Sequence, residues 1–84
     1  MNELIVTDRG QKYLTVQWIQ IAFGLEMRQG GSSRNGTIIR EYLDMHKDGK
    51  NILKIGIRWC LLLNEESAHH VNAIRERLIA NGEL

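Results

Sequence analysis

The chain of 84 residues has a single cysteine, Cys60. No internal disulfide can form, and no Cys/His cluster offers zinc-type spacing. Long apolar runs are also missing. The longest uncharged stretch, Tyr13 to Leu25, contains Thr15, Gln17 and Gln20. It is too short and too polar to span a bilayer. The start, Met1-Asn2-Glu3, is acidic and carries no basic segment ahead of an apolar one, so no secretory leader is expected. The lone thiol suits a reducing cytoplasm. Aromatics are few: Tyr13, Trp18, Phe23, Tyr42 and Trp59.

A chain this short buries only about 60–65 % of its unfolded surface. With no disulfide and no metal, oligomerisation is the remaining common support, and a homodimer is expected. No cofactor is implied.

Charge is unevenly placed. Residues 9–58 hold nine bases against four acids, net +5, while both ends are acidic. A positive middle attracts phosphate. The plainer reading is a set of solvated strand edges, where Lys and Arg discourage aggregation.

Leu4-Ile5-Val6 reads as a strand, and Asp8-Arg9-Gly10-Gln11 as a turn. From Tyr13 to Phe23 two patterns compete. Leu14, Val16 and Trp18 alternate as in a strand, whereas Leu14, Trp18, Ile21 and Leu25 fit a helix. The β-branched and aromatic content favours strand. Residues 29–36 carry three glycines but lack the Lys-Ser/Thr ending of a phosphate loop. Thr37 to His46 admits a helix capped by Thr37. A hairpin turning at Lys47-Asp48-Gly49-Lys50 is preferred. In the next strand Leu53, Ile55, Ile57, Trp59 and Leu61 share one face, and Lys54, Gly56 and Arg58 the other. A helix then opens at Asn64, carries the stripe Val71, Ile74 and Leu78, and stops at Asn81-Gly82. The expected organisation is one domain over 1–84. Residues 1–11 form a short strand or extension, 12–63 a sheet, and 64–81 a helix.

Cys60, His69 and His70 are poor material for a thiol hydrolase. The cysteine lies inside an apolar run, and both histidines lie on the one downstream helix. No enzyme is expected. Base stacking beside a basic groove is a better use of these residue types.

The run Ile39-Arg40-Glu41-Tyr42, an acidic-glycine turn, a basic strand entering Gly56-Ile57, and Leu63-Asn64-Glu65-Glu66 opening a helix together resemble the transcriptional coactivator family called positive cofactor four. The resemblance covers roughly residues 37–80. It implies a small prokaryotic or phage-like homologue with α+β architecture. Four strands would form a curved antiparallel sheet with one C-terminal helix behind it. Two copies would pair through their helices, at Val71, Ile74 and Leu78, and bind single-stranded DNA. Arg40 takes the place of a DNA-contacting arginine, and Lys54 and Lys50 match basic strand positions. Leu43 stands where the family has a tryptophan. To these the charge pattern adds Arg58, Arg28, Lys12, Lys47 and Arg34, and base stacking adds Tyr42 and Trp18, as candidate nucleic-acid contacts. The process served would be replication, recombination, repair or transcription, with proteins of those processes as further partners. The alternative is a small protein-binding module or inhibitor that turns the same basic face to an acidic partner protein.

Overall fold

Two β-hairpins supply the whole sheet. The computed structural model describes residues 4–25 and 33–84. In the first hairpin β1 (Ile5–Asp8) turns through Arg9-Gly10 into β2 (Gln11–Thr15). Both turn residues have positive φ, 51° and 76°, the mirror-image turn whose twist matches its strands. Two helices follow, α1 (Val16–Ala22) and α2 (Arg34–Met45). The second hairpin is β3 (Ile52–Ile55) with β4 (Arg58–Leu62), and α3 (Ser67–Ala80) comes last. β4 lies between β2 and β3, giving the order β1-β2-β4-β3, antiparallel throughout.

The fold is thus α+β with a four-stranded antiparallel sheet, as the sequence implies. Three expected elements differ. Residues 16–22 form a helix where alternation suggested a strand. Thr15 explains the switch: its hydroxyl accepts from the Trp18 N–H at 3.2 Å and donates to the Leu4 carbonyl at 2.9 Å. It ends one element and caps the next. The buried stripe begins with Ile19 and Gln20, and Ile21 is left half exposed. Residues 34–45 are also helical rather than a strand. The Ser33 hydroxyl accepts from the Gly36 N–H at 3.2 Å and so caps α2. The buried Gln20 amide donates to Asn35 Oδ1 at 2.6 Å and to the Ser33 hydroxyl at 3.1 Å. These bonds tie α1 to the start of α2.

The third difference is the long strand expected over 53–61, which is a hairpin. Ile55 pairs with Arg58 across the two-residue turn Gly56-Ile57. Gly56 has φ 65°, which a side chain there would resist. The turn resets the phase of the strand. Lys54 and Trp59 become cross-strand partners on one face, although the sequence reading put them on opposite faces.

The two faces of the sheet do different work. Leu14, Ile52 and Leu61 point into the main core with Ile19 of α1, Ile39 and Leu43 of α2, and Ile74 and Leu78 of α3. The opposite face carries Tyr13, Cys60 and Leu62, with Val6, Leu53 and Ile55 partly covered around them. Burial raises the pKa of the Cys60 thiol, so it behaves as a small apolar core group.

α3 starts at Ser67, later than the Asn64 cap that the sequence suggests. Asn64 instead shapes the preceding turn, accepting from the Glu66 N–H at 2.9 Å. The stop is where Asn81-Gly82 puts it, with Glu83 N–H bonded back to the Leu78 carbonyl at 2.9 Å. α3 is joined to α2 where the Tyr42 hydroxyl meets His70 Nδ1 at 2.9 Å. Burial raises the pKa of Tyr42, an effect the Arg77 charge partly offsets. Ile74 and Leu78 are fully covered within the single chain. Of the stripe expected to pair two copies, these two therefore pack inside the single chain, and Val71 beside them is partly covered by the same core.

Ile74→Ala should cost about 2–5 kcal/mol of stability, as a large-to-small core truncation does. Urea denaturation checks this.

His70 generates a pH prediction. Burial lowers its pKa, and the neighbouring His69 and His46 act in the same direction. The fold favours the neutral ring, so the unfolded chain takes up the proton first, at about pH 6.5. The contribution is fully present above that value and is lost as pH falls through the lower folded value. The urea midpoint should drop between pH 8 and pH 5, and His70→Gln should flatten the drop.

Candidate nucleic-acid interface

The β3–β4 hairpin projects its turn into solvent, with Ile57 94 % exposed at the tip. Just behind the tip the Lys54 ammonium lies over the Trp59 ring, 5.2 Å from its centroid. Trp59 itself leans against the main core and separates two depressions.

The first is a cleft of about 180 Å³ lined by Thr15, Val16, Gln17, Arg40, Ile57, Arg58 and Trp59. Three segments meet there: the junction of β2 and α1, the middle of α2, and the hairpin tip. The second depression, on the other side of Trp59, is lined by Asp44, Lys47, Lys54 and neighbouring residues of the β3 approach. A third shares Gly49, Leu53 and Lys54 with it and adds Arg9 and Lys50. Cations thus line the three depressions in turn, from Arg40 and Arg58 past Lys54 to Lys50 and Arg9, with Asp44 and Asp8 interspersed.

Most of this charge is unneutralised. Among the described residues the ion pairs are Lys47 with Asp44 at 3.1 Å and Arg34 with Glu83 at 3.6 Å. Among the described residues, Arg40, Lys50, Lys54 and Arg58 have no acid within pairing distance. Asp48 is occupied by its own turn. It accepts from the backbone N–H groups of Ile52, Lys50 and Asn51. These bonds hold its pKa down at about 2, the Ile52 and Lys50 donors contributing most.

Of the residues singled out in the sequence, Arg40 and Arg58 meet in one cleft, and Lys54 adjoins them through Trp59. Lys47 and Lys50 line the neighbouring depressions. Lys12 is exposed on β2, away from the cleft. Arg34 begins α2 and is paired with Glu83, just beyond the end of α3. Trp18 is half-buried on α1 against the core. Tyr42 is buried, 5 % exposed, on a helix. It was expected beside Arg40 on a strand as a stacking ring. Its helical position turns it inward to His70, so it is not available to a ligand. Arg28 lies outside the described residues.

Thr15, Gln17 and Ile57 join the cleft without having been singled out. A Gly-X pair between two apolar runs is the signal that marks the Ile57 turn. Nothing local marks Gln17, since α1 itself goes unrecognised. Three histidines gather at the α2–α3 contact, with His46 stacked 4.3 Å from Tyr42 and His69 5.6 Å from His70. Even so, no group of three His, Cys, Asp or Glu that could hold a metal ion exists among the described residues. No helix among them is long and apolar enough to cross a membrane.

No protein-family model, curated protein or solved structure matches this chain.

The cleft has the donors of an anion site: the guanidinium groups of Arg40 and Arg58 and the side-chain amide of Gln17. Titration with inorganic phosphate should shift the Trp59 indole N–H resonance. The double replacement Arg40→Ala/Arg58→Ala should abolish the shift. It should also change stability by no more than about 0.5 kcal/mol, since no ion pair is lost.

Proposed function

We propose that this protein binds DNA, with α2, the start of α1 and the β3–β4 hairpin forming the contact surface. The observation that carries this reading is the convergence of Arg40, Arg58 and Gln17 on one cleft beside a projecting hairpin that bears Lys54. Unpaired cations drawn from separate segments are poor material for stability. They suit a phosphate backbone, where each contact releases counterions.

Duplex DNA is the ligand this geometry supports best. Helix, connection, helix and hairpin follow in order, with β4 returning between β2 and β3. This is the element order of a winged helix-turn-helix module, a likeness of architecture alone. Such modules lay the second helix against the major groove. α2 offers Thr37 and Glu41 on its exposed side, with Arg40 between them and the hairpin. Single-stranded DNA, the ligand expected from the family resemblance, is the competing reading. The Lys54–Trp59 pair favours it, being a cation and a partly exposed ring side by side. The sheet platform does not favour it, because its outer face holds the apolar Tyr13, Cys60 and Leu62.

A homodimer belongs to the same proposal. Two copies would double the phosphate contacts and let two-fold symmetry match a palindromic site. The surface would be the outer sheet face around Val6, Leu53 and Ile55 in place of α3. Replication, recombination, repair and transcription are equally served by such a protein, acting in the cytoplasm.

Fluorescence anisotropy with labelled duplex and single-stranded oligonucleotides tests the reading. Duplex binding should be the tighter, with log affinity falling by about 0.9 per phosphate contact against log salt. Arg40→Ala and Lys54→Ala should each remove about one contact from that slope. Tighter single-strand binding moves the assignment to the competing reading. Absence of both at low salt would favour a protein-binding module that recognises an acidic partner.

A further inference from the structure

Among the described residues, Ile57 is the most exposed large hydrophobic, at 94 %, where the other exposed ones lie between 40 and 65 %. Its position makes this exposure purposeful in form. The residue is the second of a two-residue turn whose first is Gly56 with φ 65°. Such positions are ordinarily filled by small polar residues that bond water or backbone. A β-branched residue there gains no turn stability and has few rotamers, so it stands out stiffly from the hairpin. It is also framed by charge, with Arg58 next in sequence and Arg40 across the cleft that Ile57 itself lines.

Resting on the DNA reading above, we infer that Ile57 is a wedge that enters the minor groove of duplex DNA and partly unstacks a base step. The two-stranded ribbon is too wide for a minor groove, but the single Ile57 side chain projects beyond it. A minor groove is about 6 Å wide, so one apolar tip can enter while Arg58 and Arg40 neutralise phosphates alongside. Apolar side chains used in this way kink the duplex towards the major groove. The second helix of the motif is thereby brought against the groove that the bend compresses. Flexible pyrimidine–purine steps such as TA yield most easily and would be preferred. A lipid surface is the poorer match. One isoleucine on a turn is far from the broad apolar face by which interfacial segments hold a membrane.

The test uses the full chain and duplexes carrying 2-aminopurine at TA steps, with donor and acceptor dyes at the ends. Binding is followed by anisotropy, unstacking by 2-aminopurine emission, and bending by energy transfer. The expected result is that wild-type binding raises the emission severalfold and shortens the end-to-end distance. Ile57→Ser should still bind, within about tenfold of wild type, while losing both signals. Ile57→Leu should keep them. Binding by wild type without either signal, or signals that survive in Ile57→Ser, would overturn the wedge and leave the DNA reading standing. Failure of the wild type to bind any duplex would overturn both. Ile57-dependent pelleting with anionic phospholipid vesicles, without duplex binding, would move the residue to a membrane role.

Discussion

Leu61 is the residue on which the arrangement turns. It lies near the end of β4, an inner strand of the sheet, paired to Leu14 of β2 on one side and Ile52 of β3 on the other. All three are buried, and all three face the helices. A slip of one residue in either pairing would turn this set outward and send the outer residues Tyr13, Cys60 and Leu62 inward. The apolar pressure on that row therefore sets the register of both hairpins together. Ile19, Ile39, Ile74 and Leu78 pack against it from the three helices, so each helix is positioned by the same row.

The interface inherits its geometry from this packing. With Ile52 opposite Leu61, the register carries outward to Lys54 opposite Trp59 and Ile55 opposite Arg58. Trp59 thus falls on the helix side, where it packs at the edge of the core, and Lys54 covers its ring. Arg40 reaches the same cleft because Ile39 and Leu43, its neighbours on α2, are held by the core. Gly36 keeps the start of α2 close to α1. A Cβ there would come within 3.0 Å of both the Gln20 amide nitrogen and the Ser33 hydroxyl. Cations without acidic partners are thereby fixed in place by groups that do no electrostatic work themselves.

Some of this was readable from the residues alone. α3 shows its 3.6-residue stripe of Val71, Ile74 and Leu78 and its Asn81-Gly82 stop, and the structure keeps both the helix and the stop. The first hairpin is legible in Asp8-Arg9-Gly10-Gln11. α1 was not, because Val16, Ile19 and Ile21 carry strand propensity, and what decides the matter is the Thr15 cap together with a tertiary site for Ile19. α2 was hidden for a related reason: its start is anchored by Gln20, fifteen residues before Asn35, a link that no local pattern contains. The second turn was missed because Gly56-Ile57 lacks the Asn-Gly or Asp-Gly chemistry that marks most tight hairpins. Arg40, Lys54 and Arg58 were recognisable as cations. Their meeting place was not, since it depends on one helix and one turn that were both read as strand.

The most direct test of the account is a map of backbone and indole amide shifts in the isotope-labelled protein as a duplex oligonucleotide is added. The perturbed residues should cluster at Gln17, Thr37, Arg40, Ile57, Arg58 and the Trp59 indole, with the outer sheet face around Tyr13, Cys60 and Leu62 unperturbed. Perturbation confined to that outer face, or spread evenly over exposed lysines with none at the hairpin tip, would contradict it.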